Sequence, residues 1–386
     1  MNILQALFFP PEQPGGVSSM VPYIHEKFNK LGWQMELFSL PKRIRSKGSG
    51  EVRFKTFDWK PYADRPVVRK YIQTYLDYEW WSALRLNGKQ YDLIHAHHPI
   101  AALVLKKQFP QTPVIMTLHS SYEKELMLNG KIEAGGPEQK FLTSLYRELE
   151  ATVDRLVTVS RSFRDYLGQF VDRPEDILVI PNGFDPKRFR PVAHENEVPQ
   201  LVTLCRLVPA KGLDVLLEAC AELKRRGHAF MLHVIGDGPI RPDLEQMAAE
   251  RGIYEEIIFY GYVLHPEEFM PFFDIFVLPS RAEAFGNVFA EAALCWLALV
   301  GTDIGGIAEQ IEHGKNGLLV PVDDAKALAD NLELLLTDPD LRYTLARSAY
   351  EKAKKEYSLN RVIQQLKRVY METCGEAHPK GEKEPN

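Results

Sequence analysis

The chain between residues 274 and 294 constrains the fold most, because it joins a strand to a helix through a polar turn. The run DIFVL at residues 274–278 is short and largely apolar, as expected of a buried parallel strand. Helix-forming residues then continue from Val288 to Leu294 without Gly or Pro. The turn between them carries Glu283, Phe285, Gly286 and Asn287. This pattern predicts a strand–turn–helix unit of an α/β domain.

A turn of this kind can bind an anion, because the first N–H groups of a helix lack partners within it and the helix dipole is positive there. Gly286 lets a ligand approach the backbone closely. Glu283 precedes the helix and Glu291 lies about two turns into it, so both carboxylates could frame one ligand that carries phosphate and hydroxyl groups. The alternative interpretation is two surface glutamates beside a turn of any α/β domain.

The stretch PSRAEAFGNVFAEA at residues 279–292 resembles the donor-binding segment of the retaining family 4 glycosyltransferases. Members of that family have the GT-B fold and use nucleotide-activated sugars. The resemblance implies an α/β chain of two doubly wound, Rossmann-like domains that face a central cleft. It also implies a catalytic role for Glu283 and donor binding by Phe285, Gly286, Asn287 and Glu291.

Length and strand–helix alternation support two domains. The 386 residues exceed what one core usually organises, and strands alternate with helices in both halves. We predict an acceptor domain over residues 1–190, completed by a C-terminal helix at about 358–375, and a donor domain over 198–357. Residues 376–386 are charged, contain two Pro residues and are predicted to be disordered.

Composition argues against several classes of protein. The net charge of −5 is unlike that of a general nucleic-acid binder. The four cysteines are scattered, which fits a reducing cytoplasm and gives neither a disulfide framework nor a zinc spacing. No apolar run approaches the roughly 18 residues of a spanning helix, and the N-terminus is typical of a first strand and not of a signal peptide. We therefore expect a cytoplasmic protein.

A basic stretch at residues 41–60, followed by aromatics up to residue 81, leaves two interpretations open. It could hold an anionic acceptor or touch the inner face of a membrane as a peripheral contact. It could equally be a solvated loop that leads into a core-facing helix. The polar stretch 120–137 is predicted to be a loop, either a lid or acceptor wall or a mobile surface segment.

The start of the chain has the pattern of a nucleotide-binding unit. A strand over Ile3–Phe9 leads through a turn ending in Gly15 and Gly16 to a helix with apolar residues at helical spacing. In the resembled family the matching glycines lie against the donor diphosphate, so Gly15 and Gly16 are predicted to bind the donor. A plain tight turn is the alternative.

Two further strands each end in histidine, at His97 and His119. Open α/β sheets bind ligands at the carboxyl ends of their strands. The segment TLHS at residues 117–120 resembles the family segment whose histidine contacts the donor sugar, so His119 is the preferred catalytic residue and His97 the second choice. A strand-end histidine capped by backbone is the alternative. Because no Cys or carboxylate neighbours complete a ligand set, we predict no metal site.

The second half begins with a strand over 201–204, followed by Arg206 and Lys211. One cation at a strand end and another before the next helix can neutralise a diphosphate without a metal, and the resemblance implies this catalytic role for both; plain surface charge is the alternative. Family members hold the base near the segment matching GYV at 261–263, so Val263 is a predicted donor contact. Trp296 and Ala298 stand where the family usually has Gly and Pro, which puts the path after the donor helix in question.

Together these features predict a retaining hexosyltransferase that uses a nucleoside diphosphate sugar, with UDP-glucose or UDP-N-acetylglucosamine favoured on family grounds. We expect no cofactor and no metal, and an acceptor that is a carbohydrate, a lipid or a small metabolite. The alternatives are another GT-B activity, such as an epimerase or a phosphorylase, and a sugar-nucleotide-binding protein without turnover.

Overall fold

A computed structural model describes residues 1–8, 10, 16–41 and 48–375 of the chain. These residues form two units. The first unit contains Met1–Glu123, Ile132–Gly183 and the chain from Leu359 onward, and the second contains Lys124–Lys131 and Phe184–Ser358. Each unit is built on one six-stranded sheet with helices, which confirms the predicted α/β class with two doubly wound units.

The strands are β1 (Asn2–Ala6), β2 (Gln34–Phe38), β3 (Leu93–Ala96), β4 (Val114–Leu118), β5 (Arg155–Thr158), β6 (Leu178–Val179), β7 (Gln200–Leu204), β8 (Met231–Ile235), β9 (Ile257–Gly261), β10 (Ile275–Leu278), β11 (Ala298–Thr302) and β12 (Leu318–Val320). The helices are α1 (Gly16–Lys30), α2 (Pro66–Leu86), α3 (Pro99–Gln108), α4 (Tyr122–Leu128), α5 (Pro137–Thr152), α6 (Arg161–Leu167), α7 (Leu213–Arg225), α8 (Arg241–Glu250), α9 (Asn287–Leu294), α10 (Gly305–Gln310), α11 (Ala325–Thr337), α12 (Pro339–Glu356) and α13 (Leu359–Thr373). Among the helices of the described residues, none is long and apolar enough to cross a bilayer.

Strand order determines which loops become neighbours. The first sheet has the order β2-β1-β3-β4-β5-β6, and the second has β12-β11-β10-β7-β8-β9. All neighbouring strands are parallel. In the second sheet Ile275 of β10 lies opposite Leu201 of β7. Because the carboxyl ends of parallel strands meet at one edge, the segments that follow β7 and β10 lie side by side.

Both sheets are buried between helices, and β3, β4, β10 and β11 are buried at every position. The last helix, α13, completes the core of the first unit. Its ring of Tyr370 lies 5.2 Å from Phe28 of α1, between ring centroids. The apolar residues that α13 contributes to this core are Leu359, Val362, Ile363, Leu366 and Val369.

Two predicted elements differ from the structure. The strand predicted over Ile3–Phe9 is shorter, since β1 ends at Ala6, level with Phe38 of β2 and Ala96 of β3, and Phe9 itself lies outside the described residues. The predicted loop at 120–137 is wrong for its first part, which forms α4. The buried carboxylate of Glu123 fixes the start of this helix by accepting hydrogen bonds from the hydroxyl groups of Ser121 (2.8 Å), Tyr146 (2.7 Å) and Tyr166 (2.8 Å).

The aromatics of residues 54–75 pack inside the first unit. Phe57 and Tyr71 lie 5.8 and 5.3 Å from Phe141 of α5, between ring centroids. The buried carboxylate of Glu148 accepts hydrogen bonds from the backbone of Lys55 (2.9 Å) and of Thr56 (2.8 Å), and so holds the loop against α5. These contacts favour the interpretation of a loop leading into a core-facing helix. Residues 42–47 of the basic stretch lie outside the described residues.

Trp296, which stands where the resembled family usually has Gly, adopts a left-handed backbone with φ of 64°. Its ring packs edge-on against Tyr343 and Tyr350 of α12, at centroid distances of 5.6 and 5.7 Å. The left-handed conformation is costly for a residue with a Cβ, and these ring contacts offset part of that cost. The chain then enters β11 at Ala298 without a break.

Candidate functional site

The carboxyl edge of the second sheet brings together an ammonium and a carboxylate. Lys211 Nζ lies 2.5 Å from Glu283 Oε1, and Ser280 Oγ donates to the same oxygen at 3.1 Å. Both side chains are largely buried, with 18% of Lys211 and 13% of Glu283 exposed. Burial lowers the pKa of Lys211, but the neighbouring Glu283 carboxylate more than offsets this, so the pKa is raised and the ammonium stays charged.

The chain after β7 places Lys211 by a tight turn. A single 3-10 turn over Pro209–Lys211 leads to Gly212, whose φ is 67°. A Cβ at Gly212 would lie only 2.1 Å from the carbonyl oxygen of Pro279, so only glycine permits this approach of two loops. The close approach brings Lys211 next to the segment that follows β10.

The predicted turn at 283–287 forms as expected, and residues of α10 donate hydrogen bonds to it. Gly286, with φ of 85°, precedes the first residue of α9. The backbone N–H of Gly306 donates to the carbonyl of Glu283 at 3.1 Å, and Gln310 Nε2 donates to the carbonyl of Phe285 at 2.5 Å. These bonds hold Glu283 just before the start of α9, where the positive end of the helix dipole favours an anion.

Arg206 follows β7 and is exposed over 65% of its side chain. Its guanidinium forms an ion pair with Glu125 of α4, in the part of α4 that belongs to the second unit. Asn129, one residue beyond α4, accepts a hydrogen bond from the backbone of Ala210 through Oδ1 at 3.2 Å. The segment that carries both predicted phosphate-binding cations is therefore held at two points by residues 124–131.

Glu291 lies in the second turn of α9 and is half-buried. Desolvation raises its pKa to about 7; Arg188 opposes this shift and Glu267 adds to it. Arg188 itself is held by Glu267 in a two-pronged contact of 2.8 and 3.1 Å. The carboxyl group of Glu291 therefore has a pKa near neutral pH. Glu283 differs from it, because Glu283 forms an ion pair with Lys211.

The other predicted donor contacts occupy distinct environments. The side chain of Phe285 is buried, stacked 6.3 Å from Phe184 and edge-on at 5.3 Å to Tyr357. Asn287 begins α9 and Val263 follows β9, and both are half-buried. Gly16 is the first residue of α1, whereas Gly15 lies outside the described residues.

In the first unit a row of histidines lies at the carboxyl ends of β3 and β4. His97 Nδ1 lies 3.0 Å from His119 Nε2. His95 is held by the hydroxyl groups of Tyr370 (2.6 Å) and Thr117 (2.7 Å). The predicted catalytic residue and its second choice are thus in direct contact.

Burial keeps these imidazoles neutral. Desolvation lowers the pKa of His119 to about 4, although the amide side chain of Asn182 partly opposes the shift. It also lowers the pKa of His95 to about 3 and that of His97 well below its ordinary value. A neutral His119 can donate or accept a hydrogen bond with a sugar hydroxyl. Within the described residues, no group of three His, Cys, Asp or Glu is arranged to hold a metal ion.

Sequence reasoning missed several residues of the site. Three residues of the site are recognised only by their contacts in the structure. These contacts are Ser280 with Glu283, Glu125 with Arg206, and Asn129 with Ala210. Ser280 could have been found, because it lies inside the resembled segment at the end of β10.

Two family models match consecutive parts of the chain. Glycosyltransferase Family 4 matches residues 14–188, and Glycosyl transferases group 1 matches residues 185–355. Among curated proteins, the alpha-D-kanosaminyltransferase of Streptomyces kanamyceticus is 36% identical over 178 residues, 45% of this chain and 46% of that protein. The D-inositol 3-phosphate glycosyltransferase of Salinispora tropica is 30% identical over 331 residues, 76% of this chain and 66% of that protein.

Solved structures share the fold over nearly the whole chain. Sucrose-phosphate synthase from Thermosynechococcus elongatus superposes with a TM-score of 0.80 at 20% identity, covering 96% of this chain and 99% of that one. HepE from Anabaena, solved in complex with UDP and glucose, has a TM-score of 0.68 at 20% identity and covers 95% of this chain and 98% of its own. These structural neighbours establish the GT-B fold.

Proposed function

We propose that this chain, which belongs to glycosyltransferase family 4, transfers a hexose-type sugar from a nucleoside diphosphate donor to a hydroxyl acceptor, with retention at the reacting carbon and without a metal. Glycosyl transfer from a sugar nucleotide follows from the family. The donor, the stereochemistry and the metal independence are the proposal.

The contact between Lys211 and Glu283 carries the proposal. It places a buried cation near the start of α9, so one ligand could meet an ammonium and the positive end of the α9 dipole together. Arg206 adds a second cation on the same short segment. Two cations and a helix start match the charge of a diphosphate, which these groups would stabilise as it departs.

The remaining residues receive roles from the same arrangement. Glu283 would accept hydrogen bonds from hydroxyls of the transferred sugar, and Glu291 would bind the ribose. His119, neutral at the end of β4, would contact the sugar near the reacting carbon. Since none of the site residues that the structure describes is an obvious covalent nucleophile, we propose that the acceptor hydroxyl attacks on the face that the diphosphate leaves, and that the leaving phosphate takes its proton.

UDP is the proposed nucleotide, with glucose or N-acetylglucosamine as the sugar. The HepE structures contain UDP and UDP-glucose, and their fold extends over 96% of this chain. The acceptor is proposed at the level of its chemistry, a hydroxyl of a carbohydrate, an inositol-like polyol or a lipid. The Salinispora relative, named for an inositol phosphate acceptor, makes a polyol the first class to screen. The first unit would bind the acceptor. The enzyme would be cytoplasmic and could contact the inner face of a membrane peripherally.

The test is thermal unfolding with UDP, GDP and ADP in turn, each with EDTA. A ligand at 100 times its dissociation constant should add about 2.7 kcal/mol of stability. We expect UDP alone to raise the melting temperature, and transfer from a UDP-sugar to survive EDTA. Stabilisation by GDP or ADP instead would overturn the choice of base. Activity lost with EDTA and restored by magnesium would overturn metal independence, and UDP bound without any transfer would indicate a binding protein.

A further inference from the structure

Residues 125–129 contact the cation-bearing segment of the second unit, residues 206–211, at two points. Glu125 forms an ion pair with Arg206, and Asn129 Oδ1 accepts the backbone N–H of Ala210, the residue before Lys211. The two contacts come from one short stretch of chain, α4 and the residue after it. Any movement of this stretch would therefore change the surroundings of both proposed phosphate-binding cations.

The charges of this cluster are already balanced without a ligand. Arg206 is paired with Glu125, and Lys211 is paired with Glu283. The Glu125 carboxylate also favours the charged form of Lys211, so its field reaches both cations. A diphosphate brings about two further negative charges to the same place, and it must share Arg206 with a carboxylate that repels it.

The two ion pairs differ in their exposure. Glu125 is 28% and Arg206 65% exposed, whereas Lys211 and Glu283 are 18% and 13% exposed. An exposed pair of this kind is weak and is easily broken by a competing anion, while a buried pair persists. Arg206 is therefore the cation whose partner can be exchanged.

We propose that Glu125 is a built-in competitor for Arg206, which the donor diphosphate displaces on binding and which recaptures the guanidinium when the nucleoside diphosphate leaves. The proposal rests on the assignment of Arg206 to the diphosphate in the proposed function. Glu125 thereby shortens the residence of the product, and Asn129 is a positioning residue that keeps the 206–211 segment within its reach.

The experiment measures the dissociation constant and the dissociation rate constant of UDP for the wild type, Glu125→Gln, Arg206→Ala and the double variant. Glu125→Gln keeps the size of the side chain and removes its charge. We expect UDP to bind roughly twofold to fivefold more tightly to this variant, because UDP dissociates more slowly from it. Glu125→Asp, which keeps the charge, should retain the affinity of the wild type. Melting curves without ligand establish that each variant folds.

Two comparisons separate competition from a general loss of negative charge. Glu218→Gln is the matched control, because Glu218 also forms an exposed ion pair with an arginine of the second unit, Arg251. It should leave UDP binding unchanged. In the Arg206→Ala background, Glu125→Gln should give a clearly smaller gain, because the shared cation is absent and only the weaker effect of Glu125 on Lys211 remains.

Each contrary result has a distinct meaning. Unchanged or weaker UDP binding by Glu125→Gln, while Arg206→Ala weakens it, would overturn the competition and leave the proposed function standing. An equal gain in the Arg206→Ala background would overturn it as well. UDP binding that is insensitive to Arg206→Ala would overturn both the inference and the role of Arg206, and no UDP binding by the wild type would overturn the proposed donor.

Discussion

The two units differ in the charge of the groups at the carboxyl edges of their sheets. In the first unit the carboxyl ends of β3 and β4 hold imidazoles, which contact hydroxyls, an amide and one another. In the second unit the segment after β7 holds a lysine and an arginine, each beside a carboxylate. Burial neutralises the first set, because the desolvated imidazoles lose their protons. Lys211, equally buried, keeps its charge because Glu283 lies against it.

This difference shows that the partner and not the depth decides whether a buried group is charged. Glu291, also in the second unit, is a further example. It is desolvated without a dominant cationic partner, and its pKa rises to about 7. One unit can therefore contain a charged lysine and a carboxyl group whose pKa is raised towards neutral pH.

The largest effect should come from removing one partner of the buried pair. Lys211→Met leaves the Glu283 carboxylate with only hydroxyl donation from Ser280 among its described contacts. We expect the free energy of unfolding to fall by about 3 to 4 kcal/mol, measured by urea denaturation, because an uncompensated charge is left buried. Transfer activity should be lost with it.

A matched control and a second variant test the reason. Lys326→Met breaks an exposed pair with Asp330 and should cost about 0.5 kcal/mol or less. The double variant Lys211→Met with Glu283→Gln should recover much of the lost stability without recovering activity. Equal losses in the buried and the exposed pair would remove the contrast between them.

The next effect concerns His119, whose Nδ1 is buried. Its folded pKa of about 4 lies below the ordinary 6.5, so the unfolded chain binds the proton more readily. Its contribution is present above pH 6.5 and is lost as the pH falls towards about 4, by up to about 3 kcal/mol. His119→Gln should flatten the fall in melting temperature over this range, whereas His265→Gln, at an exposed position, should not.

Glu291 should give a smaller change of opposite sign. Its folded pKa of about 7 lies above the ordinary 4.5, so the folded chain binds the proton more readily, and its contribution is lost as the pH rises from 4.5 through about 7. Above this pH range we expect the free energy of unfolding of Glu291→Gln to exceed that of the wild type by roughly 2 kcal/mol. The full shift would give more, but part of the residue remains open to water. A parallel pH profile for the two proteins would contradict the shift. Glu255→Gln, at an exposed position, is the control.

Much of this arrangement could be predicted from the sequence, because it depends on local pattern. The apolar run before Pro279, the uninterrupted helix formers from Val288 onward and Gly286 between them determine the strand, the helix and the turn. The histidines at the ends of β3 and β4 could be placed for the same reason. Family membership, predicted from these short segments, is confirmed by both family models.

The pairings could not be predicted, because they depend on which strands become neighbours. Lys211 meets Glu283 since β7 lies beside β10 in the sheet, an order that residue patterns alone do not determine. Glu125 was hidden inside a stretch predicted to be a loop, and its partner Arg206 is 81 positions away. The pKa shifts follow from burial and from neighbouring charges, both of which only the folded chain defines.

The place of α13 in the first unit affects how the protein is made. The core of that unit includes Leu359, Ile363 and Tyr370, which the ribosome adds after every residue of the second unit. The second unit can therefore fold while translation continues, whereas the first must wait with the apolar face of Val21, Ile24 and Phe28 uncovered. Nascent chains halted before residue 359 should consequently depend more on chaperones than the finished protein does.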